Sequence, residues 1–318
     1  MKHIQSAPAV ALKDAIRPTT IIECDRLSER LSAKVTIASE TFQHTGSFKF
    51  RAAYSLASQV QESKILCASS GNFGQALAYA CKLLGKTCIV VMPNTAAQVK
   101  IDNVRNFGGI VDLTDVKVKS RSQRLSELAS EHKDAYVASA YDNEYVIEGN
   151  ATLGEEICAL PRSFDYVVVP IGGGGLSSGI IRATARHRAN IKVVAAEPLL
   201  ANDAARSLKE GRIVANEKEP NTLADGAQVL SLGKLNWQIL REGLDSVVEV
   251  SEAQIAEAVR LLYGLANLKV EPTGALAIGA LLSAPDKFKG KTVCCVVSGG
   301  NIDAAVYSKL ICPSQEIA

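Results

Sequence analysis

VVVPIGGGGLSSGI, residues 167–180, sets four glycines between an apolar run and a helical pattern. Gly172, Gly173, Gly174 and Gly175 carry no side chain, so they accept unusual φ and let another group approach their N–H groups closely. The following LSSGIIRATARH reads as a helix, which turns its N-terminus and unpaired N–H groups toward the same place. Strand, glycine loop and helix N-terminus form a ready site for a phosphate. A plain βα turn with no ligand needs one or two glycines rather than four.

Outward from this stretch, short apolar runs alternate with helical patterns. KILCAS (64–69), KTCIVVM (86–92), GGIVDL (108–113) and AYVASA (135–140) read as strands, with helices over 73–85 and 120–132 between them. A second series follows in YVVVPI (166–171), KVVAAE (192–197), SVVEV (246–250) and KTVCCVVS (291–298). These runs are apolar along their whole length, as in parallel sheets covered on both faces. The alternation implies a doubly wound α/β architecture with right-handed crossovers. A length of 318 residues suits two lobes, with strand C-termini facing a cleft that forms the site.

Composition narrows the function classes. Net charge is +2 with the signs interspersed, and aromatic residues make up 5% with one Trp, so there is no footprint for nucleic acid or an anionic membrane. No apolar run is long enough to span a bilayer. The start, MKHIQSAPAVALKDAI, lacks the apolar core of a secretory signal. Eight cysteines without a CxxC pair read as reduced thiols of a cytoplasmic protein and argue against zinc.

Three more segments fall at strand ends or loops. TFQHTGSFKFRAA (41–53) places Lys49 at the start of a helix, CASSGNFGQA (67–76) runs from a strand through Ser69, Ser70, Gly71 and Asn72 into another, and CVVSGGNIDAA (295–305) ends a strand at Ser298. Each alone has a plain structural reading: a solvated lysine, an N-cap, a turn. Rival phosphate motifs fail. A Walker A loop needs a glycine five residues before its GK, where LLGKT has Ala80 and FKGKT has Pro285. A dinucleotide site with Glu197 on the ribose leaves Lys49 and Ser298 without a role.

Lysine loop, asparagine loop, glycine loop and C-terminal serine, in that order, resemble the fold-type II pyridoxal-phosphate (PLP) enzymes, specifically the serine/threonine dehydratase and serine racemase group. The resemblance runs from about Ala11 to Tyr307. It implies the tryptophan synthase β-like fold: two doubly wound parallel-sheet lobes with the cofactor in the cleft. Residues 1–64 and 145–318 would form a large cofactor-binding domain, and 65–144 a small mobile substrate-binding domain. By the same resemblance Lys49 would carry the cofactor as a Schiff base and Phe48 would pack on its ring. Gly172 to Gly175 would hold its phosphate, Asn72 its phenolic oxygen and Ser298 its pyridine nitrogen. Ser69, Ser70, Gly71 and Asn72 would receive the substrate carboxylate. EPLLAND (197–203) resembles the family's divalent-cation site, with Glu197, the Ala201 carbonyl and Asp203 as oxygen ligands suited to Mg²⁺, Ca²⁺ or Mn²⁺; an acidic loop capping a helix is the plain alternative. TLADGA (222–227) and VEPTGA (270–275) match segments that border the ring.

The implied chemistry is α,β-elimination. Lys49, more easily deprotonated in an apolar site, would take the Cα proton of a β-hydroxy amino acid such as serine, threonine or 3-hydroxyaspartate. A 2-keto acid and ammonia would result. Ser298, unlike an aspartate, would leave the pyridine unprotonated and favour prompt loss of the β-substituent. Ser70 permits the alternative, a serine or aspartate racemase, because racemisation needs a second base opposite the lysine. A non-catalytic PLP-binding protein needs neither Ser70, Asn72 nor Ser298, and β-replacement fits the SSGNFG and cation-site matches less well. Phe73 stands where relatives carry histidine, Ala52 where they carry glycine, and Tyr141 at a pocket-lining position. Phe73 and Tyr141 suit an aryl-serine if they face the substrate, whereas a Phe73 turned inward only packs. No regulatory domain is expected after the last motif, and the family resemblance implies a homodimer.

Overall fold

The apolar runs become strands with ends close to those expected, except that AYVASA (135–140) is strand only over Ala135–Val137, in a computed structural model that describes residues 12–69, 71–96 and 98–312. First come α1 (Leu12–Ala15), β1 (Thr20–Glu23), α2 (Asp25–Leu31) and β2 (Lys34–Ser39). Next are α3 (Lys49–Gln59), β3 (Lys64–Ala68), α4 (Asn72–Leu83), β4 (Thr87–Pro93) and α5 (Gln98–Asn106). They are followed by β5 (Ile110–Thr114), α6 (Arg121–Glu131), β6 (Ala135–Val137) and α7 (Glu144–Cys158). Then come β7 (Tyr166–Pro170), α8 (Gly175–Arg186), β8 (Lys192–Pro198), α9 (Asp203–Glu210) and α10 (Lys234–Gly243). The chain continues through β9 (Leu244–Val250), α11 (Glu252–Ala266), α12 (Pro272–Ser283), α13 (Pro285–Phe288), β10 (Thr292–Val297) and α14 (Ala304–Ile311).

Two compact units result. The smaller joins the residues up to Arg17 to Lys49–Gly149, and the larger joins Pro18–Phe48 to the residues from Asn150 on. These crossings lie elsewhere than the expected boundaries at 64 and 144, and packing explains the shift. Helix α3 buries Phe50, Ala52, Ala53, Leu56 and Ala57 in one apolar cluster with Phe73, Ala76, Leu77 and Ala80 of α4. It therefore belongs with the smaller unit.

The smaller unit holds a parallel sheet in the order β5-β4-β3-β6. Period-2 alternation sends Ile65, Cys67, Cys88, Val90 and Met92 to the α3–α4 face, and Leu66, Ile89 and Val91 to the face under Leu128 of α6.

The larger unit holds six strands in the order β1-β2-β10-β7-β8-β9, parallel except for β1 against β2. Val168, Val194, Val293 and Cys295 enter one core, Val167, Val169, Val193 and Cys294 the other. Apolar residues at every position are thus what a sheet covered on both faces demands, each buried valine contributing roughly 1.5–3 kcal/mol over exposure. Strands β1 and β2 are additions to the sequence reading. TIIE is a short, half-exposed edge strand, and KVTIAS interrupts its apolar run with Thr36, which hides it among loop-like segments.

All eight cysteines are free. Burial pushes the Cys294 thiol up to about 12 and Cys295 well above its usual value, which suits reduced core thiols. No helix among the described residues is long and apolar enough to cross a membrane.

Candidate active site

The approach to Lys49 is stitched to the end of the last strand, where Phe48 meets Ser298 across 250 residues of sequence. Phe48 N–H donates to the Ser298 carbonyl at 2.9 Å and Gly300 N–H to the Gly46 carbonyl at 2.9 Å. Asn301 Nδ2 donates to the Thr45 carbonyl at 2.7 Å, and Ser47 bridges Gly299 as an isolated antiparallel pair. Gly46 sits at φ +73° against the Asn301 side chain, a place for glycine alone. Within this stitch Ser298 is 1% exposed and its Oγ has no hydrogen-bond partner among the described residues. A buried hydroxyl left unpaired costs stability on its own.

The glycine run closes β7 and opens α8 as read from sequence, and the rest of the larger unit buttresses it from behind. Gly174 is the N-cap of α8 at φ +96°, with no side chain capping the first-turn N–H groups. A Cβ there would lie 2.7 Å from Leu240 Cδ1 and 2.9 Å from Asn236 Cβ. The Gly173 carbonyl accepts from Gly233 N–H at 3.1 Å and Asn236 Nδ2 at 2.9 Å. A Cβ on Gly172 would meet Ala227 Cα at 3.1 Å. Gly226 N–H in turn donates to Thr273 Oγ1 at 2.9 Å, and Glu271 N–H to the Gly299 carbonyl at 3.2 Å. So the two softer segments, 222–227 and 270–275, do join the glycine run to the Ser298 turn. Asn236 and Gly233 were not read from sequence: in GKLNWQ they look like an ordinary helix start.

In the smaller unit, Lys49 opens α3 and its Nζ donates to the Ala140 carbonyl at 2.9 Å, beside Tyr141. The Nζ also lies 5.8 Å from the centroid of the Phe73 ring. Phe73 is 2% exposed within the α3–α4 cluster, so it packs inward and borders the lysine at once. Ser69 Oγ accepts Gly74 N–H at 3.1 Å and so caps α4 from outside the helix. Asn72 Oδ1 accepts from Gln75 Nε2 at 3.0 Å. Gly71 is exposed, and a Cβ there would meet nothing within 4 Å. Ser70 lies outside the described residues.

The three cation candidates stand together in the larger unit. Glu197 is in the last turn of β8, Ala201 ends the 3₁₀ turn Leu199–Ala201, and Asp203 begins α9. All three are 1% exposed. Glu197 accepts the N–H groups of Ala204 at 2.7 Å and Ala205 at 2.9 Å. Burial nevertheless pushes its carboxyl well above the usual range, and the charges of Asp203 and Glu249 add to this. Burial likewise pushes Asp203 up to about 6, although Asn216 donates to its Oδ1 at 3.0 Å. Asp203 Oδ2 has no partner among the described residues. No group of three or more His, Cys, Asp or Glu able to hold a metal occurs among the described residues.

The sequence pattern described as "Pyridoxal-phosphate dependent enzyme" matches residues 12–299. The chain belongs to that family. Within it, the chain is 35% identical over 296 residues to beta-hydroxyaspartate dehydratase of Paracoccus denitrificans (strain Pd 1222), covering 92% of this chain and 93% of the relative. It is 34% identical over 303 residues to serine racemase of Dictyostelium discoideum, covering 93% of each. Among solved structures, the threonine deaminase of T.th. superposes with a TM-score of 0.87 at 36% identity, covering 92% of this chain and 95% of that one. The fold is therefore fold-type II, in the serine/threonine dehydratase–serine racemase group.

The residues present fit the family's cofactor. Ser298 offers a buried hydroxyl lacking a partner, the kind of group a pyridine nitrogen satisfies. The α8 N-terminus offers N–H groups that no side chain caps, beside Gly172 and Gly174 whose side-chain positions are filled by Ala227, Leu240 and Asn236, an arrangement suited to a phosphate. The cation residues fit an all-oxygen divalent site, since two buried carboxylates stand there with one oxygen unpaired.

Proposed function

We propose that this chain is a PLP-dependent dehydratase, an ammonia-lyase that converts a β-hydroxy amino acid to a 2-keto acid and ammonia. The observation that carries the reading is Ser298, a buried serine rather than an aspartate at the end of β10, with its hydroxyl unpaired. Similarity to the dehydratase of Paracoccus denitrificans over 92% of the chain supports it.

When bound, PLP supplies an aldehyde that takes the substrate amine and a ring that draws electron density from Cα. In this reading Lys49 holds the cofactor at rest, and its freed amine takes the Cα proton. The Phe73 ring borders that amine, its centroid 5.8 Å from Nζ. The β C–O bond breaks and hydroxide leaves with a proton as water. The resulting enamine takes up water and releases ammonia, so atoms balance without any oxidant. Ser69, Ser70, Gly71 and Asn72 bind the substrate carboxylate on the smaller, mobile unit, with Phe73 and Tyr141 beside the β-substituent. Gly172, Gly173, Gly174 and Gly175 would hold the phosphate, Phe48 would pack against the ring and Asn72 would bond the phenolic oxygen. Ser298 would donate to the ring nitrogen, where an aspartate would hold it protonated. Glu197, the Ala201 carbonyl and Asp203 would hold Mg²⁺, Ca²⁺ or Mn²⁺. Eight unpaired thiols support a cytoplasmic setting, and the family resemblance supports a homodimer.

The test is a visible spectrum of purified protein followed by keto-acid assay on L-serine, L-threonine, threo-3-hydroxyaspartate and 3-phenylserine. A band absent from Lys49→Ala, with keto acid from at least one substrate, is the expected result. A band with altered substrate chirality and no keto acid would move the assignment to a racemase.

A further inference from the structure

The cation loop and the phosphate loop are joined through Asn216, a residue that neither site requires, alongside a backbone bond from Leu232 to the Asp203 carboxylate. Asn216 lies in the irregular segment between α9 and α10. Its Nδ2 donates both to Asp203 Oδ1 at 3.0 Å and to the Val229 carbonyl at 3.1 Å, while its backbone N–H donates to the Leu230 carbonyl at 2.7 Å. Its Oδ1 accepts from Arg206 Nη2, and Arg206 Nε is itself held by Asn202 Oδ1 at 3.0 Å. Both amide hydrogens and the amide oxygen are thereby engaged, so the side chain has one orientation that satisfies them. From Val229 and Leu230 the path is short. Ala227 N–H bonds the Ala224 carbonyl and Val229 N–H the Ala227 carbonyl, each at 2.9 Å, which fixes the turn lying behind Gly172. On the other side Gly233 N–H and Asn236 Nδ2 grip the Gly173 carbonyl.

We propose that Asn216 is a positioning residue that couples the divalent cation to the cofactor phosphate, so that cation and PLP each tighten the other's binding. This rests on the cation reading given above. Asn216 spans Asp203, whose buried Oδ2 is unpaired, and the segment that forms the rear wall of the glycine loop. A cation that draws on Asp203 Oδ2 fixes the carboxylate, and Asn216 hands that fixation to residues 227–233. Ordering already imposed by one ligand need not be imposed again by the other, which is positive cooperativity. Linkage requires the effect to be reciprocal. Surrounding groups of this kind orient metal ligands and are felt in metal affinity.

Trp237, the single tryptophan of the chain, follows Asn236 and packs in one buried cluster with Leu176, Leu232 and Leu240. Its fluorescence therefore reports the rear wall directly. The experiment is calorimetric titration of Ca²⁺ into EDTA-treated protein, PLP-free and PLP-loaded, with Trp237 emission followed in parallel. In the native chain Ca²⁺ binds at least about fivefold tighter once PLP is present, and PLP gains the same factor from Ca²⁺. In Asn216→Ala both ligands still bind, but the ratio falls toward one, the signature of weakened coupling. Equal Ca²⁺ affinities in the two native forms, or a ratio unchanged in Asn216→Ala, overturns the relay while leaving the cation site standing. Absence of any Ca²⁺ uptake by a chain that binds PLP normally overturns the cation reading, and the relay with it. If Asn216→Ala does not fold, hydrogen exchange on the native PLP-free chain decides instead. Slower exchange over residues 226–236 on adding Ca²⁺ supports the coupling, and unchanged exchange refutes it.

Discussion

Two helices begin directly after a parallel strand and a glycine-bearing loop, and the loops are built on opposite plans. At α8 the glycines are hemmed in: Gly174 sits at φ +96° with Leu240 and Asn236 under 3 Å from any added Cβ, and Gly172 lies on Ala227. At α4 a Cβ on Gly71 would meet nothing within 4 Å, and Ser69 Oγ accepts Gly74 N–H. The first loop has its shape imposed from behind, as suits a group that stays bound. The second leaves space beside Gly71, which under the proposed function suits a ligand that enters and leaves at every turnover. The difference lies in the neighbours of the glycines, not in their number.

Substitutions can break or sharpen this contrast. The largest effect belongs to Lys49→Ala, which should abolish the absorption band and lower keto-acid formation by about 10³-fold or more; retained turnover would show that another amine does the work. Next, Gly174→Ala combines a left-handed backbone with a steric conflict. It should cost about 1–3 kcal/mol, read as a lower melting temperature and weakened PLP binding. Gly71→Ala should stay within about 0.5 kcal/mol of the native chain and change KM before stability. Equal melting temperatures for the two variants would erase the distinction.

Ser298→Ala separates cofactor binding from folding. Removing a buried hydroxyl that has no partner leaves the PLP-free protein as stable as before or slightly more so, while PLP affinity falls about tenfold. A loss of stability without PLP would mean that the hydroxyl has a structural partner instead. A smaller effect than that of Ser298→Ala is expected from Phe73→His, which alters the surface beside Lys49 Nζ. The ratio of kcat/KM for 3-phenylserine over threonine should fall about fivefold, and an unchanged ratio would leave Phe73 as packing only.

Sequence made the larger unit's strand–glycine–helix turn legible because its signal is local: strand, glycines and helix start lie within fourteen consecutive residues, 167–180. The parallel strands were legible for the same reason, being apolar on both faces. What escaped depends on contacts between distant segments. Asn236 and Asn216 are single polar residues with no spacing to mark them, and they matter only because Gly173 and Asp203 come within reach. Strand β1 needs β2 as its partner before its four residues mean anything. Helix α3 changes units because Phe50 and Leu56 find their cluster with α4, which no boundary in composition announces.

The eight unpaired thiols carry a consequence for how the protein ages in solution. Cys81, Cys88, Cys294 and Cys295 are buried, and their acidities are suppressed by burial or by one another. Thiol–disulfide exchange begins with an accessible thiolate, so those four are slow to react. Cys312, just beyond α14, is the exposed thiol. Air oxidation without a reductant should therefore start there and join two chains tail to tail, and a thiol-reactive label added at low stoichiometry should reach the same sulfur first.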